Sequence, residues 1–163
     1  MKLSHIDEKG NARMVDVTAK KKTERKAVGF GRVTMSEATY NFVRSGYGPK
    51  GDIFTVAKIA GIMGAKRTHE LVPLCHPLSL THVDVQYTFH DRQYAIDIIS
   101  TVKTKGETGV EMEAINCVMV AALTIYDMCK AIDKGIELGP FYLLEKSGGK
   151  SGRYTRKKVK GER

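Results

Sequence analysis

Gly106-Glu-Thr-Gly-Val-Glu-Met-Glu-Ala-Ile-Asn-Cys-Val-Met-Val-Ala-Ala-Leu-Thr-Ile-Tyr-Asp-Met-Cys-Lys130 reads as one long helix, its pattern running over 109–133 and stopped by Gly135. Val118, Met119, Ala121, Ala122, Leu123, Ile125 and Tyr126 are apolar nearly all round it, the pattern of a helix enclosed by protein or by another subunit. Asp127 and Lys130 stand one turn apart at its end. A buried carboxylate or ammonium is costly unless paired or used, so the two are an ion pair or part of a reactive site.

Around this helix, residues 27–35 read as a strand and 36–44 as a helix. Gly46, Gly48 and Pro49 break the chain, and 52–69 form a second apolar helix with Asp52 as its N-cap. The prolines of Val72-Pro-Leu-Cys-His-Pro77 hold that segment extended. Residues 82–90 and 94–104 alternate in polarity across Asp91-Arg92-Gln93 and read as a hairpin. A last strand covers 136–145. The order implies an α+β, ferredoxin-like split β-α-β fold: an antiparallel sheet with helices packed on one face. The open sheet face and the long apolar helix both call for cover, which argues for a homo-oligomer.

The 163 residues suit one domain. We expect a single catalytic domain over 1–152 with a flexible N-terminal segment, then a basic, unstructured tail over 153–163. Seven of the nine net positive charges fall on residues 146–163, leaving a body of only +2. A second cluster, Lys20, Lys21, Lys22, Arg25 and Lys26, lies before the first strand. No apolar run suits a bilayer and no signal-like start is present, so the expected address is cytoplasmic. Cys75, Cys117 and Cys129 include no Cys-x-x-Cys pair, and the last two, about 18 Å apart on the helix, read as small buried hydrophobes.

Several groups could carry chemistry. Thr108-Gly-Val-Glu111 has capping-box spacing, so Glu111 serves the helix start on that reading. Glu113 falls about 40° around the helix from Asp127 but about 21 Å along it. One small-molecule site in one subunit cannot easily use both: either the ligand is long and polar, or a neighbour brings the opposite end of its own helix to the site, which is the favoured reading. His76 is presented from a stiff segment between Pro73 and Pro77. It is a ligand-holding candidate, though a lone histidine more often serves as a hydrogen-bonded structural residue. Cys75 and His76 have no nearby pair to complete a metal site. Lys50 precedes a helix start, where free N–H groups attract phosphate. Ser147-Gly-Gly-Lys-Ser-Gly152 resembles part of a nucleotide phosphate loop but has Leu144 where the first glycine belongs and no helix after it. Its glycines and Lys150 can still touch phosphate.

Met14-Val-Asp-Val, Lys50-Gly-Asp, Ala65-Lys-Arg-Thr, Leu74-Cys-His-Pro-Leu, Thr108-Gly-Val-Glu-Met-Glu-Ala, Ala121-Ala-Leu-Thr-Ile-Tyr-Asp-Met-Cys-Lys and Lys146-Ser-Gly-Gly-Lys-Ser-Gly occur in one order. Together they resemble the cyclic pyranopterin monophosphate synthase family of molybdenum cofactor biosynthesis, the protein C family, over residues 4–152. The resemblance implies a pyrophosphate-releasing lyase acting on a cyclised dihydroguanosine triphosphate. It implies a homohexamer, a trimer of dimers with active sites at subunit interfaces. It also implies Asp127 as catalytic acid or base with Lys50 and Lys130 in proton transfer. Leu74, Cys75, His76, Glu111, Met112 and Glu113 fall in its substrate-binding segments, and Lys20 and Arg25 near the triphosphate. No metal site and no cofactor are expected; whether magnesium accompanies the triphosphate is left open. The competing class is a ferredoxin-like module binding single-stranded RNA, because Val28-Gly-Phe-Gly-Arg-Val33 faintly resembles an RNA-binding signature. That signature belongs on a third strand, not a first, and aromatics total only 7%. Nucleic acid is therefore an unlikely partner, and no membrane association is expected.

Overall fold

A computed structural model describes residues 6–7 and 9–157. Its elements are β1 (Thr23–Thr34), α1 (Glu37–Val43), β2 (Tyr47–Gly48), β3 (Gly51–Asp52), α2 (Ile53–Lys66), α3 (Thr68–Leu71), β4 (Leu80–His90), β5 (Ala95–Gly106), α4 (Glu111–Cys129), β6 (Glu137–Ser147) and β7 (Tyr154–Thr155). The main sheet has the order β4-β5-β1-β6-β7, every neighbouring pair antiparallel. With β1 between β5 and β6, this is the split β-α-β arrangement, and α2 and α4 cover one face.

The alternation of the strands decides which face is covered. Val33 of β1, Ile96, Ile98 and Val102 of β5 and Val85 of β4 point to the helices and are at most 2% exposed. Val118, Ala121, Ala122 and Ile125 of α4 close over all but Val102, which packs with Val110 and Ala114. The helix sits so close to β1 that a Cβ at Gly29 would lie 2.4 Å from the Ala114 carbonyl oxygen, so only glycine fits there. α4 is long and apolar enough to cross a membrane by length and composition, but here it is a core helix against β1, β5, β6 and α2.

Asp52 caps α2 as expected: its carboxylate accepts from the Thr55 N–H at 3.0 Å and from the Thr55 hydroxyl at 2.6 Å. Other expectations need correction. β1 begins at Thr23, so Arg25 and Lys26 lie within the strand. Those first residues are polar on both faces and give no period-two signal; pairing with Lys103–Gly106 of β5 holds them. β5 in turn runs to Gly106, and α4 starts only at Glu111. The capping box does not form: the N-cap is Val110, with no side-chain cap bond. The Glu111 carboxylate turns instead to Lys146, at 3.2 Å. Part of the segment read as an unstructured tail pairs as β7 with Glu145 and Lys146, and the Arg156 guanidinium lies 4.1 Å over the Tyr142 ring. Residues 158–163 of that tail, and residues 1–5, lie outside the described residues.

Candidate active site

The candidate side chains fall into two separate groups. The first closes around the last turn of α4. β2 and β3 form a two-residue hairpin with Lys50 in its turn, which carries the ammonium across to Asp127. Lys50 Nζ lies 2.7 Å from Asp127 Oδ2, and Lys130 Nζ lies 2.6 Å from Oδ1. Lys50 Nζ also donates to the Asp127 carbonyl oxygen at 3.2 Å. The hydrogen bond from Lys130, then that from Lys50, pulls the Asp127 carboxyl down to about 2. The same bond holds the Lys130 ammonium above its ordinary value. Attraction outweighs burial because all three side chains are about half exposed. In this subunit Asp127 is thus a fixed anion that keeps two cations together.

The second group surrounds the opposite end of α4. A cavity of about 360 Å³ is lined by Leu74, Cys75 and His76 from the proline-bounded segment and by Met112 and Glu113 from the first turn of α4. Lys20, Glu111, Val15, Val17 and Leu78 are also in its walls. Glu113 is 4% exposed. Burial raises its carboxyl to about 7, with repulsion from Glu111 adding to the shift. Burial, then the nearby Glu113, also raises the Cys75 thiol, so it is no ready nucleophile. His76 Nε2 lies 2.7 Å from the Val15 carbonyl oxygen.

A larger cavity of about 950 Å³ adjoins this one and shares Lys20, Thr108, Gly109 and Glu111 with it. Its wall includes Arg25, Lys26, Lys146 and Lys150 and the loop Ser147–Ser151. Gly148 and Gly149 have φ of 98° and 72°, and a Cβ on Gly149 would fall on the Arg25 guanidinium, so the loop wraps Arg25 closely only as glycine. Arg25 is steadied from behind by donating to the Glu107 carbonyl at 3.1 Å. Lys146 reaches Glu111 at 3.2 Å and Ser151 Oγ at 2.5 Å. The two cavities meet at these shared residues, one apolar and carboxyl-bearing and the other cationic, an arrangement able to take a ligand that carries an anionic group.

Leu74, Cys75, His76, Glu111, Met112, Glu113, Lys20 and Arg25 are therefore gathered into one cleft, while Asp127, Lys130 and Lys50 converge elsewhere and line neither cavity. Sequence reasoning missed Val15, Val17 and Lys146. Lys146 carried a signal, being a basic residue immediately before the glycine loop; the two valines carried none beyond the Met14-Val-Asp-Val motif.

The cleft thus sets cationic side chains beside titratable groups on an antiparallel sheet covered by helices. The MoaC family profile matches residues 14–149. The chain is 58% identical over 154 residues to the cyclic pyranopterin monophosphate synthase of Heliobacterium modesticaldum, covering 94% of this chain and 97% of that one. The synthase of Pelotomaculum thermopropionicum is 52% identical over 155 residues, with 95% and 91% covered. That of Geobacillus thermodenitrificans is 51% identical over 156 residues, with 94% and 96% covered. This chain belongs to the MoaC family.

Proposed function

We propose that the chain is a cyclic pyranopterin monophosphate synthase, a cytoplasmic lyase of molybdenum cofactor biosynthesis. It converts (8S)-3',8-cyclo-7,8-dihydroguanosine 5'-triphosphate to cyclic pyranopterin monophosphate and pyrophosphate. The observation that carries this reading is the composite cleft, in a chain more than half identical to synthases over nearly its whole length. The triphosphate occupies the cationic cavity, where Lys20, Arg25, Lys146 and Lys150 offset the charge that grows on the leaving pyrophosphate as the remaining phosphate closes into a cyclic ester. The ring system enters the smaller cavity beside His76 and Glu113. No resident cofactor is assigned; a magnesium ion would arrive with the triphosphate, as part of the substrate. Three unpaired cysteines accord with a reducing compartment.

Opening the dihydropurine ring and rebuilding it as a pyranopterin moves protons on and off nitrogen and oxygen. The Lys50, Asp127 and Lys130 group suits that task, with Asp127 positioning two ammonium donors. It reaches the cleft from a neighbouring copy. Glu113 and Asp127 are equidistant from Val120 along α4, so a two-fold axis crossing the helix there sets each beside the other's counterpart. The helix face around that point is apolar and uncovered: Met119 is 45% and Leu123 58% exposed, and Val56, Ile59 and Met63 of α2 extend the patch. This supports sites shared between two copies, and the assembly we propose is a homohexamer built as a trimer of such dimers.

The RNA-binding alternative is disfavoured by Phe30, which is 9% exposed and stacked on Tyr142 with ring centroids 4.6 Å apart. It offers no open face to a base. The test is to incubate the purified protein with the cyclised nucleotide and follow pyrophosphate release and product by mass. Release of neither rules the assignment out.

A further inference from the structure

The Met14-Val-Asp-Val motif lies outside the helices and strands and lends two valines to the smaller cavity, but no task has yet been given to its backbone. Asp16 Oδ1 accepts from the Thr18 N–H at 2.9 Å, and the Lys20 N–H donates to the Val17 carbonyl at 2.9 Å. These two turns bring Val15, Val17 and Lys20, but not the residues between, to the wall of the smaller cavity. Asp16 itself is exposed. The Val15 carbonyl then lies 2.7 Å from His76 Nε2. A carbonyl oxygen can only accept, so Nε2 must carry the hydrogen.

We propose that residues 14–20 are a positioning arm of the active site, and that the Val15 carbonyl holds His76 as its Nε2–H tautomer. The ring's lone pair is then confined to Nδ1, the one nitrogen of the neutral imidazole able to accept a hydrogen bond or a proton from a bound ligand. Val15 acts through its backbone and Asp16 through the turn; neither is a catalytic residue. The same arm delivers Lys20 to the junction of the two cavities, so ring and triphosphate are placed by one segment. This rests on the synthase assignment for its kinetic consequence, but the tautomer stands without it.

The experiment uses the full-length protein in wild-type, Asp16→Ala and Asp16→Asn forms. The asparagine keeps a side-chain oxygen to accept from Thr18. Long-range proton–nitrogen spectra of the imidazoles are recorded without substrate at about pH 8.5, above the ordinary histidine range, with His76→Gln used for assignment. The wild type and Asp16→Asn should show His76 fixed with hydrogen on Nε2, whereas Asp16→Ala should average between tautomers. With the cyclised nucleotide, Asp16→Ala should raise KM about fivefold, with a smaller change in kcat, from loss of one positioning hydrogen bond, and Asp16→Asn should restore it. A wild-type ring with hydrogen on Nδ1, or an Asp16→Ala protein with an unchanged tautomer and KM, overturns the proposal. A wild type that gives the expected spectrum but turns over no cyclised nucleotide refutes the synthase assignment instead.

Discussion

Glu113→Gln isolates the consequence of burying an acid without a cation beside it. Its carboxyl rises from the ordinary 4.5 to about 7, a difference worth about 3 kcal/mol between the two protonation states. In the unfolded chain the group ionises near 4.5; in the folded chain it keeps its proton until about 7. The folded state therefore binds more protons between these values, and wild-type stability falls as pH rises through that window. Below it the two proteins differ only by the small change from acid to amide. Above it the wild type carries a buried anion and the variant does not, so Glu113→Gln should be more stable than wild type near pH 8 by up to about 3 kcal/mol. Urea unfolding at fixed protein concentration, at pH 4.5, 6 and 8, reads this directly. An equal fall in stability for both proteins between pH 4.5 and 8 refutes the reasoning, since the titrating group would then lie elsewhere.

Asp127→Ala should keep the fold and assembly while abolishing turnover. Its ion pairs are about half exposed, so solvent screens them and little stability should be lost; circular dichroism, gel filtration and pyrophosphate release check the three parts, and near-normal turnover removes Asp127 from the mechanism. Sites shared between copies predict complementation: mixed assemblies of Asp127→Ala and His76→Ala, each inactive alone, should recover a measurable fraction of wild-type turnover after co-refolding. Sites contained in one chain predict none.

The elements legible in the sequence were those with a burial pattern. The hairpin of β4 and β5 follows from alternation, and Asp52 marks the start of α2 by the chemistry of its cap. α4 was legible as a core helix because its apolar residues leave no other stable place for it. The polar start of β1 was not, because Thr23–Lys26 are held by backbone pairing with β5, which no side-chain period announces. Thr108 and Glu111 mimic a capping box, but Lys146 offers Glu111 a stronger, charged partner than a backbone N–H. Asp127 and Lys130 were linked by their spacing. Lys50 joins them only because the β2-β3 turn crosses to the end of α4.

By itself the sequence determined the architecture, the family and several of the segments that line the cleft, since periodicity and ordered motifs are properties of the chain read in one dimension. Tertiary structure alone decided the electrostatic state of those groups and their division into two clusters. A carboxylate's proton affinity depends on what folding brings within a few ångströms: two ammonium groups for Asp127, burial without a cation to offset it for Glu113. Two acids on one helix thus end on opposite sides of their ordinary value, and spacing along that helix carries no trace of the difference.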